Sequence, residues 1–298
     1  MPRILVRVRP MAIGRLSALL GAVALLAGCV AGPAAPVPMG TETGTAPQIA
    51  QATPVVPAAP GGRRDLVTAS DETEAMRRAR IRTELAVAYF GQGQHGTALD
   101  EVKRALVAEP QHVQALSLRG MIYAAMGEYE LAESSLREAL RIRPDDADTL
   151  HNHGWFLCQR RRFDEARRQF EAAMAVAQYR GQARTLLAAG LCEARAGELL
   201  SAQMFLQRSF DMEPLNPATA FQLAEVMMRR GDLERAFMHV QRLNQNPDLV
   251  RPETLWLAIR IQQRRNLHAS VEELGGQLRS RYPNSREALA FDQGRFDE

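Results

Sequence analysis

Cys158 and Cys192 are the side chains whose type and spacing first suggest chemistry. With Cys29 they make up the chain's three cysteines, and 34 residues separate them. Such a pair can close a disulfide or stand as two buried thiols. His151 and His153 lie two apart on a stretch patterned as a helix. They point some 200° apart, so they cannot chelate one metal in the way a pair four apart can. The run Arg160-Arg161-Arg162 falls in a turn signal, where it is either solvated or set against an acidic partner. The body of the chain contains no glycine-rich phosphate loop, zinc-type cysteine pair or Gly-x-Ser-x-Gly elbow. The expectation is therefore a protein without catalytic residues, metal ligands, cofactor or small-molecule substrate.

The elements carrying these residues repeat. In the stretch from Ala147 to Gln182, Leu150, Gly154, Leu157 and Cys158 recur at three- and four-residue steps, followed by Phe163, Ala166, Phe170 and Ala173 in the same manner. Two amphipathic helices joined by a short turn follow from that period. Ala98, Ala132, Ala166, Ala202 and Ala236 are spaced by 34, 34, 36 and 34 residues. Twelve residues before each stands Ala86, Gly120, Gly154, Gly190 or Ala224, and Pro110, Pro144 and Pro214 close three of the units. Small residues let antiparallel helices approach, and Gly93, Gly127, Gly197 and Gly231 supply the turns between them. Asp71 with Glu74, Asp146, Asn216 before Pro217, and Asn284 or Ser285 are the candidate caps.

This pattern resembles the tetratricopeptide repeat from Ala79 onward. The fold expected is all-α: a right-handed tetratricopeptide repeat solenoid of about six helical hairpins plus a short C-terminal capping helix, over residues 71–298. The sixth unit, Arg251 to Asn284, is degenerate, with Ser270 in place of the alanine and Gly275-Gly276 weakening its second helix by about 1 kcal/mol each.

The net charge of +3 misleads. Arg3, Arg7, Arg9 and Arg15 all precede Cys29, and removing those four from the 37 basic residues leaves 33 against 34 acidic ones. A neutral body argues against nucleic-acid binding. The basic Met1–Arg15 segment and the apolar run Leu16–Ala27 read as a signal peptide, since twelve apolar residues fall short of the roughly 20 needed to span a bilayer. The ending Leu26-Ala27-Gly28-Cys29 resembles a bacterial lipoprotein processing box. It implies residues 1–28 as the signal and Cys29 as the lipidated, palmitate-bearing residue, with Val30 directing the anchor to the outer membrane. Residues 29–70, with seven prolines from Pro33 to Pro60, are too poor in large apolar residues to offset ordering entropy. They read as a tether reaching about 35 Å as a coil and about 120 Å extended. In the oxidising compartment this address implies, Cys158 and Cys192 sit late on neighbouring first helices roughly 10 Å apart. A disulfide is favoured there, with two buried thiols as the alternative.

In solenoids of this kind the first helices line the concave side, with positions 2, 5, 9 and 12 of each unit facing inward. Carried onto this chain, that face holds Val87, Phe90, Met121, Trp155, Leu187, Leu191, Phe221, Met228, Leu255 and Ile259. Each could pack between helices, but a continuous apolar strip suits an extended or helical segment of another protein, with Trp155 as anchor.

The segment Asn152-His153-Gly154-Trp155-Phe156-Leu157-Cys158, with Ala189-Gly190-Leu191-Cys192, narrows the likeness. From Arg77 to Ala290 the chain resembles the PilF/PilW family of type IV pilus biogenesis lipoproteins. The resemblance implies a pilotin facing the periplasm from the outer membrane, with the pilus secretin and other pilus assembly proteins as partners. It assigns Cys29 to the lipid, Asn152, Gly154, Trp155 and Phe156 to the distinctive motif, and Cys158 with Cys192 to the bridge. Two other readings share the composition: a tetratricopeptide lipoprotein of a tight-adherence pilus or other envelope machine, and a regulatory subunit of a periplasmic cell-wall enzyme.

Overall fold

The structure, a computed structural model, describes residues 72–297. The signal segment, Cys29 and the tether lie outside them. Among the described residues there are thirteen helices and no strand. They pair as α1 (Glu74–Gly91) with α2 (His95–Ala108), α3 (Val113–Met126) with α4 (Tyr129–Ile142), and α5 (Ala147–Gln159) with α6 (Phe163–Ala175). The series continues as α7 (Gln182–Ala196) with α8 (Leu199–Met212), α9 (Pro217–Arg230) with α10 (Leu233–Asn244), and α11 (Pro252–Arg264) with α12 (His268–Arg281), and ends in α13 (Arg286–Asp292). Each helix packs on the next, and α1, α3, α5, α7, α9 and α11 also touch in series. Six hairpins and a short last helix are the all-α tetratricopeptide solenoid expected from the spacing.

The approach within a hairpin explains the small residues. A Cβ added at Gly120 would lie 2.6 Å from Leu136 Cγ, at Gly154 2.8 Å from the Phe170 ring, and at Gly190 2.6 Å from Leu206 Cγ. In the first and fifth hairpins the same place holds Ala86 and Ala224, and the residue sixteen further on is Val102 or Val240 rather than leucine or phenylalanine. Volume lost on one helix is gained on the other, as close-packed interiors require.

Gly93, Gly127, Gly197 and Gly231 turn the chain at φ of 74°, 83°, 90° and 87°. The third and sixth turns do the same with Arg161 at 61° and Asn266 at 58°. Asp146 caps α5 by accepting from Thr149 N at 3.0 Å, Asn216 caps α9, and Ser285 caps α13 by accepting from Ala288 N at 3.0 Å. At the first helix, α1 is capped by Thr73, which accepts from Met76 N, and Asp71, the cap expected there, lies outside the described residues.

The sixth hairpin slips by one residue. The segment 245–251 between α10 and α11 is longer than the four-residue turn 213–216, and α11 begins 35 residues after α9. Buried Thr149, Thr185 and Thr219 accordingly find their counterpart in Thr254. In α12 it is Val271, not Ser270, that is buried where the other units have alanine. Gly275 then has a purpose, because a Cβ there would run into the Phe291 ring of α13, whereas Gly276 has no neighbour within 4 Å. Phe291 and Phe296 cover the exposed end of the stack, with Phe296 stacked on Trp256 at 5.8 Å. A terminal repeat, lacking a neighbour, is closed in this way.

Candidate functional site

Val87, Phe90, Met121, Trp155, Leu187, Leu191 and Phe221 occupy equivalent inner positions on α1, α3, α5, α7 and α9, helices that touch in series. Val87 is 55% exposed and the others are half-buried. Four of them root in the interior while leaving apolar surface on the wall: Trp155 packs on the cluster around Cys158 and Cys192, Leu187 and Phe221 on that around Met227, and Phe90 on that around Ala86. The Arg195 guanidinium lies over the Trp155 ring, 5.0 Å from its centroid. This fixes the indole face at the wall, a contact of about 0.5–1 kcal/mol at an exposed site. Arg195 was not singled out in the sequence, although its place one helix on and near the end of α7 is the signal that could have found it.

Polar groups hold these helices in register. Asn152 donates through Nδ2 to Ser117 Oγ at 3.1 Å, tying α5 to α3. His151 Nδ1 meets Thr185 Oγ1 at 2.9 Å, tying α5 to α7. The two additional residues between α6 and α7 place Tyr179 beside them: its hydroxyl is 3.0 Å from Thr185 Oγ1, and Arg184 reaches both Tyr179 and Asp148, the latter at 2.6 Å. Burial and, secondarily, Arg184 push the His151 pKa down to about 4, so its ring is neutral at pH 7. Cys158 and Cys192 are joined, with Cα atoms 5.8 Å apart and both side chains buried. The bond locks α5 to α7 directly behind Trp155.

Three inner-face residues read from the sequence are not on the wall. Met228 is only 1% exposed, packed between α9 and α11 in one cluster with Leu257 and Ile261. Leu255 and Ile259 are fully buried, because the one-residue slip turns them toward the interior and leaves Trp256 and Arg260 at the inner positions.

The remaining candidates resolve locally. His153 is buried beside Phe156, its pKa lowered mainly by that burial, and His151 faces Phe170. Among the described residues no group of three or more His, Cys, Asp or Glu side chains could hold a metal ion. In the arginine run, Arg160 sits over the Tyr129 ring at 4.0 Å and Arg162 bridges Glu133 and Glu165 at 2.8 and 2.7 Å. Two of the three are therefore engaged within the chain.

Comparison with known proteins agrees with this architecture. Models of the tetratricopeptide repeat match residues 83–147 and 147–178. The type IV pilus assembly protein PilF of Pseudomonas aeruginosa is 24% identical over 208 residues, covering 70% of this chain and 82% of PilF. The crystal structure of PilW, described as a widely conserved type IV pilus biogenesis factor, superposes with a TM-score of 0.66 at 29% identity, over 71% of this chain and 97% of PilW. The solved Pseudomonas aeruginosa PilF superposes with a TM-score of 0.65 at 21% identity, over 74% of this chain and all of that one, and so shares the fold.

Proposed function

We propose that this tetratricopeptide repeat protein, a homologue of the type IV pilus assembly protein PilF, is a non-enzymatic outer-membrane lipoprotein scaffold for pilus biogenesis. In this reading Cys29 carries the lipid, residues 30–70 tether the solenoid on the periplasmic side, and the inner wall binds a segment of the pilus secretin. The observation that carries it is the run of half-buried apolar side chains from Phe90 to Phe221, braced at its centre by the bond between Cys158 and Cys192. Exposed apolar strips of this kind mark partner sites, and a buried aromatic anchor such as Trp155 supplies the largest share of binding energy. Anchoring the solenoid concentrates it where the secretin inserts, which favours localisation, multimerisation or stability of the assembled ring without new contacts.

Deleting the gene should abolish secretin multimers in the outer membrane and, with them, pili. Normal secretin multimers and normal piliation in the deletion strain would sink the proposal. Cys29→Ser should eliminate metabolic labelling by palmitate and release the protein from the membrane fraction. Co-purification with the secretin of a tight-adherence pilus instead, or a change in peptidoglycan turnover without a piliation defect, would favour one of the other envelope roles.

A further inference from the structure

The turn between α8 and α9 breaks the pattern of its siblings. Pro110 and Pro144 are followed by polar Gln111 and Asp145, whereas Pro214 is followed by Leu215, which is 89% exposed. The longer segment 245–251 brings Leu249 alongside, and the two turns enclose a cavity of about 130 Å³ walled by Phe210, Leu215, Ala220, His239, Arg242 and Leu249. The His239 ring stands edge-on to Phe210, with centroids 4.8 Å apart, and forms a rigid side of the cavity. An apolar cavity of roughly 150 Å³ accepts benzene, so this one fits a single branched or aromatic side chain.

Its charge is one-sided. No carboxylate is in the lining, and Arg242, exposed at the rim, makes no ion pair or hydrogen bond among the described residues. Glu213, which flanks the turn, already accepts from Asn216 Nδ2 at 3.1 Å. The cavity continues past Pro217, Leu243 and Leu249 into an open groove along the start of α9, bordered by Arg251 and Glu253. A solvent-facing leucine in a turn, an apolar cavity beneath it and an unpaired guanidinium at the mouth together ask for an apolar group next to a negative one.

We infer that this cavity docks a partner-protein segment in which a leucine- or phenylalanine-sized side chain adjoins a carboxylate, the side chain entering the cavity and Arg242 pairing with the carboxylate. The cavity itself contains none of the inner-wall residues, and the wall's Phe221 lines only the groove into which it opens. It gives the C-terminal half of the solenoid its own recognition element.

The test is a ligand-observed NMR titration of the full chain with the blocked tripeptide acetyl-Asp-Leu-Asp-amide, against the acetyl-Lys-Leu-Lys and acetyl-Asp-Ala-Asp amides. The first peptide should bind about fivefold more tightly than either control, the gain expected of one exposed charge pair or one seated side chain. Arg242→Gln should erase the difference between the Asp and Lys peptides. Ala220→Leu, which fills the cavity, should erase that between leucine and alanine. Equal binding of all three peptides, or no saturable binding up to about 5 mM, would overturn the inference. So would sedimentation showing a dimer that Leu215→Asp dissociates, since the cavity would then belong to an interface between copies of this chain.

Discussion

The complementary volumes within each hairpin make a quantitative prediction at Gly154. Adding a methyl group there places a Cβ 2.8 Å from Phe170 Cδ1 and Cε1 and 3.2 Å from Ala166 O. Overpacking of that kind costs about 1–3 kcal/mol, and the better helix propensity of alanine returns about 1 kcal/mol, so Gly154→Ala should destabilise by about 1 kcal/mol. Phe170→Val alone leaves a cavity and should cost about 2–3 kcal/mol. Together they recreate the alanine–valine pairing found at Ala86 with Val102 and at Ala224 with Val240. The double variant should therefore be more stable than the sum of its parts by about 1–2 kcal/mol. Urea unfolding read by far-UV circular dichroism gives the four corners of the cycle. Additivity within about 0.5 kcal/mol would refute the claim that helix spacing in this hairpin is set by the glycine–phenylalanine contact.

Further outcomes follow from the same structure. Reducing the bond between Cys158 and Cys192, or replacing both with serine, should cost roughly 3–4 kcal/mol by the loop-entropy relation for their 34-residue separation, seen as a lower urea midpoint. His151 binds a proton less readily in the folded chain than in the unfolded one, so its contribution is complete above about pH 6.5 and is lost as the pH falls toward about 4. The loss is at most about 3 kcal/mol, and His151→Gln should flatten the fall in urea midpoint between pH 7 and pH 5. The slope should shrink rather than vanish, because burial lowers the pKa values of His112, His153 and His239 as well. Gly275→Ala should loosen the C-terminal cap by about 1–3 kcal/mol through the Phe291 ring, whereas Gly276→Ala, with open space around it, should stabilise by about 0.5–1 kcal/mol, both read by thermal melting.

What the sequence made legible depended on whether the repeat kept its period. Gly154, Trp155, Cys158 and Cys192 sit in units whose small residues fix the register, and their neighbours in space follow from neighbours one repeat away. Leu255 and Ile259 were misplaced because the segment 245–251 adds a residue that the degenerate sixth unit gives no alanine or glycine to register. Met228 holds an inner position by count, yet close packing of α9 on α11 buries it, and packing depth has no signature in spacing alone. Tyr179 lies in the lengthened join between α6 and α7, where the repeat offers no template and only the structure shows that its hydroxyl reaches Thr185. The cavity under Leu215 arises from two turns that are distant in sequence, so no local pattern could announce it.

The central claim is that the inner wall around Trp155 holds the pilus secretin, and affinity capture from a membrane extract tests it most directly. Wild-type protein should retain the secretin, and Trp155→Ala, whose loss at a binding anchor is about 2 kcal/mol or more, should retain at least about tenfold less at a temperature where far-UV circular dichroism shows both proteins folded. Equal recovery of the secretin by both proteins would contradict the account.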